Sequence, residues 1–129
     1  MEKKLSYTIL VVEDDAALRE MLRWALDREG LHVLAAADGV EALTMLAAQS
    51  PSIILTDLQM PQKNGLDLAI EVRQRPDYQD IPIVLLSATP PTPCAQTAVF
   101  DAILAKPIAL ASLMGCIHSL LAQGSSRPT

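Results

Sequence analysis

Two hydrophobic periods alternate along this chain. Thr8-Ile9-Leu10-Val11-Val12 is a short β-branched run, the signature of a strand. From Ala16 to Glu29 the apolar residues fall at Leu18, Met21, Leu22, Ala25 and Leu26. Arg19, Glu20, Arg23 and Asp27 lie on the opposite side, so this stretch reads as an amphipathic helix that Gly30 ends. Leu31 to Ala36 reads as a second strand. Val40 to Gln49 reads as a second helix, with Val40, Leu43, Leu46 and Ala47 on its apolar side and Ser50-Pro51 as its stop. Ser52 to Thr56 is a third strand. A loop from Asp57 to Asn64 leads through Gly65 to a third helix, Leu66 to Arg75, closed before Pro76. Ile81 to Leu86 and Ala102 to Ala105 are the fourth and fifth strands. Ala109 to Ala122 is the last helix, with a broad face of Leu110, Leu113, Met114, Ile117, Leu120 and Leu121.

Strands that are apolar without interruption are buried on both faces, as in a parallel sheet covered by helices. Right-handed crossovers then give a doubly wound α/β fold, which binds ligands beyond the carboxyl ends of its strands. The first strand ends in Glu13-Asp14-Asp15, the third in Asp57, the fourth in Ser87-Ala88-Thr89 and the fifth in Lys106-Pro107. Taken singly, each has an ordinary reading: Asp15 as a helix cap, Asp57 as a turn residue, Ser87 as a satisfied hydroxyl, Lys106 as a solvated amine. Together they bring carboxylates, a hydroxyl and an ammonium to one sheet edge. Carboxylates a few ångströms apart repel by roughly 4 kcal/mol per pair at an effective dielectric near 20. A divalent cation resolves that repulsion, and all-oxygen donors suit Mg²⁺.

Composition narrows the function classes. At 129 residues the chain has the size of one domain, and with half of it hydrophobic it can build a core unaided. Aromatic residues make up only 3%, so that core is aliphatic. The net charge of −5, with no basic stripe, disfavours direct nucleic-acid binding. Cys94 and Cys116 form neither a metal motif nor a disulfide framework. No stretch has signal-peptide or membrane-spanning length, so a soluble, cytoplasmic protein with no membrane partner is expected. Residues 1–7 read as a lead, 8–123 as one domain and 124–129 as a tail or the start of a linker.

Several of these segments resemble the response-regulator receiver family of two-component signalling. They are Ile9 to Asp15, Ile54 to Pro61, Asn64-Gly65, Leu86-Ser87-Ala88 and Phe100 to Pro107, and the similarity runs from about Thr8 to Ala122. The resemblance implies a CheY-like (flavodoxin-like) five-stranded parallel sheet in the order 2-1-3-4-5. It implies Asp57 as the phosphoacceptor in a phosphorelay. It implies Mg²⁺, replaceable by Mn²⁺, held by Asp14, Asp57 and the backbone carbonyl of Gln59, with Glu13 acting through water. Lys106 matches the family's lysine and Ser87 its switch hydroxyl. Small Ala88 leaves room for a phosphoryl group, and Gln59 and Thr89 stand at positions that tune its lifetime. The implied donor is phosphohistidine on a histidine kinase or histidine phosphotransfer protein. His32 and His118 of this chain do not read as that donor. The implied role is a signalling module that catalyses only its own phosphorylation and dephosphorylation.

Three departures bear on that expectation. Ile103 stands where many receivers carry an aromatic, so a hydroxyl shift coupled to aromatic rotation cannot run unchanged. Thr89-Pro90-Pro91-Thr92-Pro93 delays the fourth helix of the family pattern to about Pro93, with Thr92 as cap, and makes it short. Between Ile81 and Gly124 the only Asp, Glu, Lys or Arg residues are Asp101 and Lys106. The face built from that fourth helix, the fifth strand and the last helix is therefore nearly uncharged. An apolar contact there with a second copy or another partner is expected. Two competing readings are a degenerate receiver acting by constitutive protein contact and a phosphatase of the haloacid-dehalogenase type. The second is opposed by Gln59, which stands where that class has its second acid.

Overall fold

The computed structural model describes residues 7–60, 62–89 and 98–123. Five strands, β1 (Thr8–Val12), β2 (His32–Ala36), β3 (Ile53–Asp57), β4 (Ile83–Ser87) and β5 (Ala102–Ala105), form one parallel sheet in the order β2-β1-β3-β4-β5. Four helices lie between them: α1 (Ala16–Arg28), α2 (Gly39–Ala48), α3 (Gly65–Gln74) and α4 (Leu110–Gln123). The helix expected from about Pro93 falls outside the described residues, as does Cys94. The last helix of the sequence reading is α4.

Alternation within the strands sorts the core into two layers. Leu10, Val12, Ile54, Ile83 and Leu85 pack with Ala42, Leu46, Leu68 and Val72 of α2 and α3. Ile9, Val11, Leu55, Val84 and Leu86 pack with Leu22 and Leu26 of α1 and Leu113 and Ile117 of α4. Every strand reads as apolar because its odd and even positions face different helical layers.

Helix ends follow local chemistry. Asp15 caps α1 by accepting from the amides of Ala17 (3.0 Å) and Leu18 (3.2 Å). Gly30 closes it at φ 89°, a left-handed backbone that favours glycine. Asp38 caps α2 while Glu41 reaches back to the Ala37 amide at 2.6 Å. Asn64 caps α3.

The expected face of α2 is rotated, whereas that of α1 is kept except at Met21. Helix α2 buries Gly39, Ala42 and Leu46, whereas Val40 and Ala47 face solvent. The small residues let α2 approach its neighbours closely: a Cβ on Gly39 would lie 2.7 Å from the Lys63 carbonyl oxygen. On α1, Met21 is exposed, and so is the chain's single tryptophan, Trp24, at 64% exposure with the Arg28 guanidinium 4.8 Å above its ring. Cys116 on α4 is a free, half-buried thiol that burial pushes up in pKa.

Candidate functional site

Parallel strands deliver their carboxyl ends to one edge, so residues far apart in sequence meet there. Glu13 follows β1 and is buried (1% exposed), its amide bonded to the carbonyl of Ala36 at the end of β2 at 3.0 Å. Asp14, the next residue, is exposed. Asp57 closes β3 with its side chain 13% exposed, and its Oδ1 accepts from the Leu58 amide at 2.8 Å. Ligand oxygens of Glu13, Asp14 and Asp57 all lie within 4.8 Å of one another. Lys106, just beyond β5, extends Nζ into this group. The amine is 3.0 Å from Glu13 Oε1 and 3.3 Å from Asp57 Oδ1.

Burial pushes the Glu13 carboxyl above its ordinary range, although the Asp15 amide and Lys106 both donate to it. Burial also acts to lower the Lys106 amine, but the bond to Glu13 and the charges of Glu13 and Asp57 outweigh it and leave the pKa raised. The ammonium is therefore firmly protonated at neutral pH. Three carboxylates against one ammonium leave a formal excess of two negative charges on an oxygen-only donor set. That arrangement fits one hard divalent cation.

The loop after β3 is shaped around Asp57. Thr56, fully buried, donates from Oγ1 to the Asp57 carbonyl at 2.9 Å, and the Gly65 amide bonds the Leu58 carbonyl at 2.8 Å. A Cβ on Gly65 would collide with the Asp57 carbonyl oxygen. The Asn64-Gly65 pair thus supplies a cap and a missing side chain at the one place where the helix start touches the strand end. Gln59 is exposed on this loop, beside Leu58 and Met60.

The remaining expected residues spread along the same edge. Ser87 is buried at the end of β4, where its Oγ accepts from the Thr89 amide at 3.2 Å and its carbonyl accepts from the Lys106 amide at 2.9 Å. Ala88 and Thr89 are exposed. Ile103 is half-buried and packs toward the α2–α3 layer. His32 and His118 are exposed, away from the cluster. Arg19, which the α1 pattern places on the polar side, instead donates to the Glu13 carbonyl at 2.8 Å and braces the loop after β1. Its position one turn into a helix that follows an acidic loop is the only sequence signal for that role.

A doubly wound parallel sheet with an acidic pocket and a lysine at its carboxyl edge defines a class of switch-point binding proteins. Residues 9–118 match the family model described as "Response regulator receiver domain", and the chain belongs to that family. Among curated relatives, response regulator MprA of Mycobacterium bovis (strain BCG / Pasteur 1173P2) is 39% identical over 120 residues, covering 91% of this chain and 51% of the relative. The chain spans about half the length of the curated relatives it matches. Among solved structures, chemotaxis response regulator CheY4 of Vibrio cholerae superposes with a TM-score of 0.84 at 28% identity, covering 90% of this chain and 99% of that one. Response regulator TrrA of Thermotoga maritima, solved in complex with Mg²⁺-BeF, gives 0.78 at 28% identity over 88% and 98%. Among the described residues no helix is long and apolar enough to cross a membrane.

Proposed function

We propose that the Asp57 carboxylate accepts a phosphoryl group from phosphohistidine on a histidine kinase or phosphotransfer protein, and that the modified site switches protein contacts. The observation that carries this reading is the Lys106 ammonium shared between Glu13 and Asp57 beside a third carboxylate. Asp57 attacks phosphorus in line, the donor's N–P bond breaks, and an acyl phosphate forms. Lys106 neutralises charge on the transferred group and Ser87 donates to it from the end of β4. Asp14, Asp57 and the Gln59 carbonyl would hold Mg²⁺ directly, and Glu13 through water. When bound, the cation offsets carboxylate repulsion and phosphoryl charge. The Mg²⁺-BeF complex of TrrA supports this assignment by similarity. Mn²⁺ serves in the same donor set.

Incubation with acetyl phosphate and Mg²⁺, followed by intact-mass measurement, tests the reading. One phosphoryl group is expected, absent without the cation and absent in Asp57→Asn. No labelling at all would favour the constitutive-contact alternative, and multiple turnover of outside phosphoesters the phosphatase. The partner face expected from the fourth helix of the family pattern, β5 and α4 includes exposed Leu110; the part from about Pro93 lies outside the described residues. Light scattering with and without phosphorylation decides whether a second copy occupies it.

A further inference from the structure

The site lysine hangs from the least anchored strand. β5 has four residues, two of them alanine, and pairs on one side only, with β4. None of the four is fully buried, whereas β1 and β3 are interior strands flanked on both sides. Register is weakly specified where few side chains are committed to a face, and a one-residue slip turns every side chain over. Such a slip would also move Lys106 by about 3.3 Å, enough to break its bonds to Glu13 and Asp57.

A polar clamp at the other end of β5 supplies what the alanines do not. Asp101 precedes the strand. Its amide donates to the Ile83 carbonyl at 2.7 Å, and its Oδ2 accepts from the Ile83 amide at 2.8 Å. The first residue of β4 is thus bracketed by one aspartate. The same Oδ2 accepts from Arg73 of α3 at 2.7 Å, in a pair whose side chains are only 13% and 17% exposed. Arg73 also donates to the carbonyls of Val99 (3.1 and 2.9 Å), Gln79 (2.8 Å) and Ile81 (2.6 Å). One guanidinium therefore ties the chain leading into β4 to the chain leading into β5. From that fixed point the ladder runs through Val84–Ala102 to Ser87–Ala105 and ends at the Lys106 amide on the Ser87 carbonyl.

We propose that Arg73 and Asp101 are positioning residues for Lys106: their clamp sets the register of β5 and so places the ammonium between Glu13 and Asp57. The rate consequence rests on the phosphoacceptor reading above. The geometric consequence does not.

Asp101→Asn keeps the size and an acceptor but removes the charge. Labelling by acetyl phosphate at saturating Mg²⁺ should slow by about tenfold or more, within the roughly hundredfold that an ångström's misplacement can cost. Mg²⁺ affinity, set by residues at the ends of β1 and β3 and in the loops that follow them, should stay within about twofold. The NMR resonances of the Lys106 amide, the Lys106 side-chain amine and the Ser87 amide should shift. In a Lys106→Ala background the same substitution should slow labelling no further, because the group it places is gone. Leu26→Ala, in the opposite layer, lowers stability without moving those resonances and separates placement from general loosening. If Asp101→Asn does not fold, Arg73→Lys carries the test, since a point donor cannot hold the fork of carbonyls. Unmoved Lys106 resonances, or an equal slowing with and without Lys106, would overturn the proposal. If the wild-type protein takes no phosphoryl group, the function above fails while the resonance shifts still report on the clamp.

Discussion

At the residue scale, glycine is worth different amounts at different places. Gly65 sits where a side chain would strike the Asp57 carbonyl backbone, which cannot yield without moving β3. Gly65→Ala should therefore cost about 2 kcal/mol or more. Gly115 is an exposed position inside α4 with open space where a Cβ would stand. Gly115→Ala should stabilise by about 0.5–1 kcal/mol. Urea unfolding of the two variants checks both signs. The Glu13-Asp14 pair, Asp57 and Lys106 were legible in the sequence because each directly follows an apolar strand run. Asp101 was not. It is 28 positions from Arg73, and nothing in the hydrophobic pattern links the two. Only the folded sheet shows both side chains turned inward. With Lys106 paired to the acidic pocket, the only two Asp, Glu, Lys or Arg residues between Ile81 and Gly124 are both engaged internally.

At the scale of elements, α3 is tied to its preceding loop by charge. Glu71 pairs with Lys63 at 2.9 Å and with Arg75 at 2.5 Å, and these bonds hold its carboxyl below the ordinary range. A carboxyl lowered on folding stabilises above its unfolded value, 4.5, and loses that contribution as pH falls through the lower folded value. Glu71→Gln should lower stability at pH 7 in low salt by less than about 1 kcal/mol, the scale of ion pairs near the surface, with a slightly lower melting temperature. Thermal melts should show the difference fading as pH drops below 4.5 and as salt rises. Strand and helix types were readable because the two hydrophobic periods are strong, and most boundaries fall within a residue or two. The rotation of α2 was not readable. In a segment of alanine, valine and leucine, more than one stripe is apolar, and the close seat over Lys63 decides which one turns inward.

For the whole molecule, the sheet concentrates repulsion at one edge, and a cation should relieve it. At a free concentration ten times its dissociation constant, a bound ion adds about 1.4 kcal/mol. For a domain of this size that is roughly 5 °C. Calorimetry with and without Mg²⁺ should show this rise, and Asp14→Asn should reduce it sharply. A rise independent of Asp14 would place the ion elsewhere. A parallel sheet with its pocket at the carboxyl edge followed from strands alternating with helices; the strand order itself was legible only through the resemblance to receivers.

The single tryptophan stands in water on α1, its ring shaded by Arg28. Its emission should already be that of a solvated indole in the native protein, so denaturation should scarcely redden it. Optical studies will need circular dichroism to follow melting. In exchange, the residue is a ready-made reporter of whatever settles on the outer surface of that helix: a docked protein would dry the ring and turn its light bluer.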